Sequence, residues 1–352
     1  MAEETTLEWF GATTFRLKSL NLTIFLDTWL DRPSTLPKYL SIADVTSCDY
    51  IFISHAHFDH LPGADRLAKN TGAIVIANGE AINALRSAGV PESQLVAVAG
   101  GERIPLFTKA QWDEAKTKAE ATKPLIPGKP PSGPPGPPAP NPKDAVATVH
   151  AWPSLHCLMP EGDHSSIPET LDTGTVYTGS ASHACTMDIT RGLTYGLGGL
   201  TKMPNLPPQM PEDMKEFVRY LKDTKTNLCS TFDGGQIMYN FLLGSKTLLW
   251  NGHLGGYRGI LEQLEPKPDV ALLAIAGRAN LNGRPFDGSA AQFATLQTKW
   301  IGEPDKLVWC LHDKGALKPK FINTEAATQM VEDETKSRVL DLEHAKAYKI
   351  FE

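Results

Sequence analysis

Short apolar runs, many of them β-branched, alternate along this chain with segments whose apolar positions recur at helical spacing. Tyr50-Ile51-Phe52-Ile53 reads as a buried strand, because a short and continuously apolar run fits a strand covered on both faces. Further strands are expected over 73–77, 94–99, 145–152, 174–178, 247–250, 270–276 and 306–311. Helical patterns lie over 79–87, 211–222, 257–264 and 288–300. A further helix is expected over 61–69, with Pro62 at its start. Strands and helices alternating in this way through both halves indicate an α/β protein.

The pattern breaks at Lys109. Residues 109–123 are rich in Ala, Lys, Glu and Thr, and residues 124–143 hold ten prolines and three glycines. Such a stretch cannot supply a core, so 109–143 is expected as a surface insertion in a single domain spanning 1–352. A Pro-rich ligand for a partner module is the functional alternative for the same stretch. Residues 192–211 are apolar yet full of Gly and Pro. They suggest a flexible lid or pocket wall for an apolar, cyclic substrate, with irregular packing as the plainer alternative.

Composition narrows the class. Apolar residues make up 41% and charged residues 21% of 352, as in an ordinary globular protein. A formal net charge of −6 argues against nucleic acid as the main partner. Five scattered cysteines with no C-x-x-C pair read as reduced thiols. The opening residues lack a secretory pattern, and no apolar run reaches the roughly 18–20 residues of a membrane span. A cytoplasmic location is expected.

The chemistry concentrates in Ser54-His55-Ala56-His57-Phe58-Asp59-His60-Leu61-Pro62-Gly63. Three imidazoles and a carboxylate fall within six residues, in the loop that leaves a buried strand, where a scaffold can converge them on one point. Surface histidines near a helix cap are the plain alternative, and four such side chains in one loop weigh against it. The H-x-H-x-D-H run resembles the signature of the metallo-β-lactamase superfamily. The opening strands, Leu7-Glu8-Trp9-Phe10-Gly11, residues 13–18 and Leu22-Thr23-Ile24-Phe25-Leu26-Asp27, look like the branch of ascorbate-phosphate lactonases and N-acylphosphatidylethanolamine phospholipase D.

The resemblance implies an αββα sandwich of two mixed sheets flanked by helices. It also implies that His55 and His57 hold one cation and that Asp59 and His60 hold a second. His156 stands where the family supplies the third ligand of the first cation, and is favoured over His150, which falls inside a strand. His164 reads as a solvated loop residue. His312 follows a strand near the C-terminus and matches the family's last ligand, with Asp313 placed to orient a ligand or substrate. In Asn251-Gly252-His253 a histidine stands where the family has a bridging aspartate. Neutral imidazole offers one lone pair, so His253 cannot bridge two cations. It ligates one ion, contacts the nucleophile or substrate, or marks a site with one tight and one weak ion. Asp233 is another source of a carboxylate, or a helix cap. Asp27 ends a strand, where a metal-bound imidazole or a simple turn would occupy it.

Histidine and carboxylate ligands suit zinc, one ion or two, and accept manganese or iron. A cation of this kind lowers the pKa of bound water to about 7 and supplies hydroxide. Asp59 and His253 are the candidate catalytic side chains, Asp59 either ligating the second ion or holding the nucleophile as base in a one-metal site. His183 and Tyr195 flank the Gly/Pro segment as candidate substrate contacts. Arg278 and Arg284 are candidates for an anion clamp, or are solvated. The first functional expectation is a hydrolase opening a small lactone or lactam, by analogy with fungal lactam hydrolases. A phosphodiesterase of the phospholipase D type comes second, and a non-catalytic binding protein with a degenerate site third. Substrate identity and oligomeric state are not legible.

Overall fold

Strand Leu22–Leu26 turns Leu22, Ile24 and Leu26 to one side and Phe25 to the other, and both sides are covered by apolar residues. The computed structural model describes residues 4–121, 138–158, 189–315 and 321–351. The expected strand over 174–178, and with it His164, His183 and Cys185, lies outside the described residues.

Strands β1 (Thr6–Trp9), β2 (Phe15–Ser19), β3 (Leu22–Leu26), β4 (Tyr50–Phe52), β5 (Ile74–Ala77) and β6 (Leu95–Ala97) belong to one seven-stranded sheet. Its order is β17-β1-β2-β3-β4-β5-β6, with β17 spanning Tyr348–Lys349. The second sheet holds β7 (Arg103–Leu106), β8 (Ala147–Pro153), β9 (Ile237–Leu243), β10 (Lys246–Asn251), β12 (Val270–Ala274), β15 (Lys306–Cys310) and β16 (Arg338–Val339). Its order is β16-β15-β12-β10-β9-β8-β7. Three short strands, β11 (Gly255–Gly256), β13 (Asn280–Leu281) and β14 (Arg284–Pro285), form a small third sheet. The helices are α1 (Ala64–Thr71), α2 (Gly79–Ser87), α3 (Lys109–Ala121), α4 (Ile189–Gly192), α5 (Gly198–Lys202), α6 (Glu212–Lys222), α7 (Arg258–Glu262), α8 (Ala290–Trp300) and α9 (Glu325–Glu334).

The two large sheets face each other across one core, in which Ile24, Tyr50 and Phe52 meet Tyr239, Phe241 and Trp250. Helices α1 and α2 cover the outside of the first sheet with Leu67, Ile82 and Leu85. Helices α7, α8 and α9 cover the second with Leu261, Phe293 and Val331. The result is an αββα sandwich of mixed sheets, as the sequence leads one to expect. Parallel strands buried on both faces account for the continuous apolar runs of β4, β12 and β15.

Parallel pairing matters for the site. Leu26 lies opposite Phe52, and the Asp27 amide donates to the Phe52 carbonyl at 2.8 Å. The residues that follow β3 and β4 therefore leave the sheet together.

Several elements differ from the sequence expectation. The first helix begins at Ala64 and not near 61, because Gly63 adopts φ +95°, outside the helical region. A Cβ there would stand 2.8 Å from Ile42 Cδ1 and 2.9 Å from the Thr28 carbonyl. Residues 192–202 are helical, through α4, a wide turn over Leu193–Leu197 and α5. Leu193 anchors them against Trp29, Phe58 and Phe217. Strands β7 and β9 and helix α9 were not anticipated.

Candidate metal centre

Beyond β4 the chain folds back on itself. The amides of His60 and Leu61 donate to the His57 carbonyl at 3.3 and 3.1 Å, which brings the His60 ring within 4.0 Å of the His55 ring. Asp27, at φ +49°, holds this turn from below. Its Oδ1 accepts from the Ser54 amide at 2.8 Å, and its Oδ2 accepts from the hydroxyls of Ser54 at 2.9 Å and Thr13 at 2.6 Å. The same Oδ2 lies 2.6 Å from His60 Nδ1, and both side chains are wholly buried.

An ionised carboxylate only accepts hydrogen bonds, so His60 carries its proton on Nδ1 and keeps the Nε2 lone pair for the site. Ser54 Oγ donates to Asp27 and stands 3.1 Å from His55 Nδ1, which places the His55 proton on Nδ1 in the same way. His55 Nε2 then faces His57 Nδ1 at 3.0 Å.

The second sheet contributes from the opposite side. His156 lies in the loop after β8, and its Nδ1 stands 2.7 Å from the Cys157 carbonyl, which places its proton on Nδ1. The loop is held by the Ser154 amide on the Gln236 carbonyl at 2.8 Å and by Asn280 Nδ2 on the His156 carbonyl at 2.9 Å. It also packs closely on the loop after β10: a Cβ at Gly255 would stand 2.5 Å from the Leu155 carbonyl. That second loop carries His253, whose ring lies 3.7 Å from His156, 4.8 Å from His55 and 5.1 Å from His60.

Five imidazoles thus converge. The donor atoms of His55, His57 and His156 lie within 4.8 Å of one another, as do those of His55, His60 and His253, and those of His156, Cys157 and His253. Burial, and then the neighbouring imidazoles, hold His55 and His57 well below the usual histidine range, so both are neutral near pH 7. Two contacts fit a cation. His60 Nε2 is buried with no hydrogen-bond partner among the described residues. The His60 Nε2 lone pair also faces Asp59 Oδ1 at 3.4 Å, an arrangement of two electron-rich atoms that a positive charge between them would relieve. A zinc ion held by two imidazoles at about 2.0–2.1 Å places their nitrogens about 3.3 Å apart, close to the His55–His57 contact.

The remaining candidates are placed differently. His312 stacks on Trp9 with ring centroids 4.8 Å apart, and the donor groups among the described residues do not include it. Asp313 forms a buried ion pair with Arg32 at 2.9 Å and accepts from the Ala12 amide at 2.9 Å, next to the Thr13 that touches Asp27. His150 lies within β8 opposite Arg103 and Asn240, and is absent from those groups. Asp233 Oδ1 accepts from the Gly235 amide at 2.9 Å within its own turn. Arg278 reaches Asp287 at 3.2 Å. Tyr195 is 74% exposed, on the wide turn between α4 and α5.

Three contributors were not singled out from the sequence. Ser54 and Thr13 set the imidazole protons, and a buried hydroxyl directly before His55 was the available signal. Phe232 is 56% exposed in a segment clamped to the motif: Ser230 N donates to the Ala56 carbonyl at 2.8 Å and Ala56 N to the Asp233 carbonyl at 3.1 Å. No local pattern marked it.

Residues 23–134 match the family model described as the beta-lactamase superfamily domain. A UPF0173 metal-dependent hydrolase of Thermodesulfovibrio yellowstonii is 30% identical over 144 residues, covering 37% of this chain and 53% of the relative. The chain spans about half the length of the curated relatives it matches. Among solved structures, the metallo hydrolase Igni18 of Ignicoccus hospitalis superposes with TM-score 0.52 at 16% identity, covering 98% of both chains. The diiron β-hydroxylase CmlA of Streptomyces venezuelae superposes with TM-score 0.51 at 12% identity, covering 99% of this chain and 55% of that one. Both likenesses concern the fold. Together with the match over 23–134, they show that this chain has the fold of these proteins and is similar to the beta-lactamase superfamily domain over about a third of its length.

Proposed function

We propose that this chain is a metal-dependent hydrolase that opens a small lactone or lactam ring. The observation that carries the reading is the convergence of His55, His57, His60, His156 and His253 beside Asp59, with several of the imidazole protons tied to partners outside the cluster. The curated relatives named as metal-dependent hydrolases support it. Neutral imidazoles with a single carboxylate favour zinc, with manganese and iron as the other candidates. A divalent cation bound there supplies a Lewis acid and a source of hydroxide at neutral pH. Asp59, whose side chain is 23% exposed beside His60, would orient the attacking water by accepting its hydrogen bond. Asp27, Thr13 and Ser54 hold the imidazoles in register.

An apolar substrate is favoured by the rim. Thr194 Oγ1 donates to Thr231 Oγ1 at 3.2 Å, which ties the exposed Tyr195 to the segment of the exposed Phe232, itself clamped to Ala56 between two of the histidines. The two exposed aromatic rings offer apolar contact to a small ring, with the Arg191 guanidinium over one side of Tyr195 at 5.4 Å. No helix among the described residues is long and apolar enough to cross a membrane. Cys48 and Cys229 are unoxidised thiols, which supports a reducing, cytoplasmic setting.

The test is turnover by the zinc-loaded chain of a panel of small lactones and lactams, with bis(p-nitrophenyl) phosphate as the phosphodiester probe. Acid release on ring opening is expected, and its loss in His57→Ala. Phosphodiester cleavage without ring opening would sink the lactone and lactam reading. A chain that holds no metal and turns over nothing would sink the hydrolase reading itself.

A further inference from the structure

The superfamily resemblance implies that His312 supplies the last ligand of the second cation, and leaves open what His253 does at the bridging position. The side chains are arranged otherwise. His312 lies in an aromatic stack: its ring is 4.8 Å from Trp9, Trp9 is 4.1 Å from His344, and His344 is 4.0 Å from Tyr39. Phe321 closes on the His312 ring at 6.2 Å. Around it, the Leu311 amide donates to the Ala12 carbonyl at 2.9 Å and Asp313 is locked to Arg32. The segment is built to hold β1 against the end of β15.

His253 lies where the two groups of donors meet, within 5.1 Å of the rings of His55, His60 and His156. A carboxylate at that point would serve both cations, whereas an imidazole serves one. Which one follows from the donors already present. His55, His57 and His156 give the first position three nitrogens, the complement of a catalytic zinc that keeps one place for water. Among the described residues the second position has His60 Nε2 with Asp59 Oδ1 3.4 Å from it, and the donor atoms of His60 and His253 fall in one group with His55, which already serves the first position. We infer that His253, and not His312, completes the second cation position with His60 and Asp59. Resting on the metal-dependent reading above, this assigns the chain a five-imidazole, one-carboxylate centre.

The ligand set differs in charge from one with a bridging carboxylate. Asp59 is then the single carboxylate among these ligands, so two neighbouring cations are less well neutralised than with a bridging carboxylate, and the second ion taken up is the looser one. On titration with zinc or cobalt the two ions are taken up in separate phases.

The experiment is zinc content of the 352-residue chain after dialysis against buffered zinc, with cobalt(II) absorption as a second readout. The variants are His253→Ala, His253→Gln and His312→Phe, the last keeping a ring against Trp9. Circular dichroism establishes that each is folded. About two equivalents are expected in the parent chain and in His312→Phe, and about one in both His253 variants, with the weaker cobalt phase missing. Loss of one equivalent in His312→Phe with retention in the His253 variants overturns the assignment. So does a parent chain that holds one equivalent unaffected by His253→Ala. Both results leave the hydrolase reading intact, whereas absence of metal from every chain overturns the two together.

Discussion

Asp27 has no solvent exposure, yet its two oxygens are met by the Ser54 amide, the hydroxyls of Ser54 and Thr13, and the His60 ring. Its effect on the site is exerted through protons, because each donor it accepts sets the tautomer or rotamer of a side chain that faces the cluster. Asp27→Asn tests this with little change of shape. The amide nitrogen can only donate, so one of the present donors loses its acceptor and His60 is freed to carry its proton on Nε2. Zinc affinity, measured by competition with a chromogenic chelator, is expected to fall by about 10–100-fold. The metal-free chain is expected to lose about 1–3 kcal/mol in urea unfolding, the usual penalty for a buried group left unpaired. Unchanged affinity with reduced stability would mean that Asp27 only braces the strand ends.

The elements that the sequence made legible are those whose burial is set by one short run. Helix α2 is found where the pattern puts it, and Tyr50–Phe52, Lys246–Asn251 and Val270–Ala274 match within a few residues. Strand β9 escaped notice because Asn240 interrupts its apolar run. In the sandwich that residue is wholly buried, and its Nδ2 donates to the Pro266 carbonyl at 2.9 Å. The helical form of 192–202 was hidden by its glycines, which tertiary packing through Leu193 overrides. The start of α1 was misread because Pro62 signals a helix while the backbone reserves Gly63 for a left-handed turn. The Thr28 amide donates to the His60 carbonyl at 2.9 Å and Gly63 packs on the Thr28 carbonyl, so the glycine bears on the site as well as on the helix. Gly63→Ala would place a Cβ against Ile42 and the Thr28 carbonyl at a backbone conformation costing about 1–2 kcal/mol by itself. A lower melting temperature with reduced zinc content is expected. A lower melting temperature with full zinc content would separate the turn from the site.

At the scale of the molecule, the centre is a joint between two sheets. His55, His57 and His60 come from the loop after β4 in the first, whereas His156 and His253 come from the loops after β8 and β10 in the second. A cation shared by these loops binds only when the sheets are packed, so it stabilises the sandwich by linkage, by about 4 kcal/mol at a thousandfold excess over Kd. Chelation should therefore lower the melting temperature of the parent chain and leave that of His57→Ala nearly unchanged. Acid should act in the same direction. His55 and His57 stay neutral in the folded chain well below their usual range, while the unfolded chain protonates them near pH ~6.5. Below that pH the unfolded state binds protons that the folded state refuses, so stability held above pH ~6.5 is lost steadily as the pH falls. The cation sharpens the effect, since protons compete with it for the same lone pairs. Calorimetric scans of the chelated chain between pH ~7.5 and ~5.5 should show a melting temperature that falls with pH, less steeply in His57→Gln. A melting temperature that rose on acidification would mean that the imidazoles are charged in the folded state, and the cluster would then be a poor home for any cation.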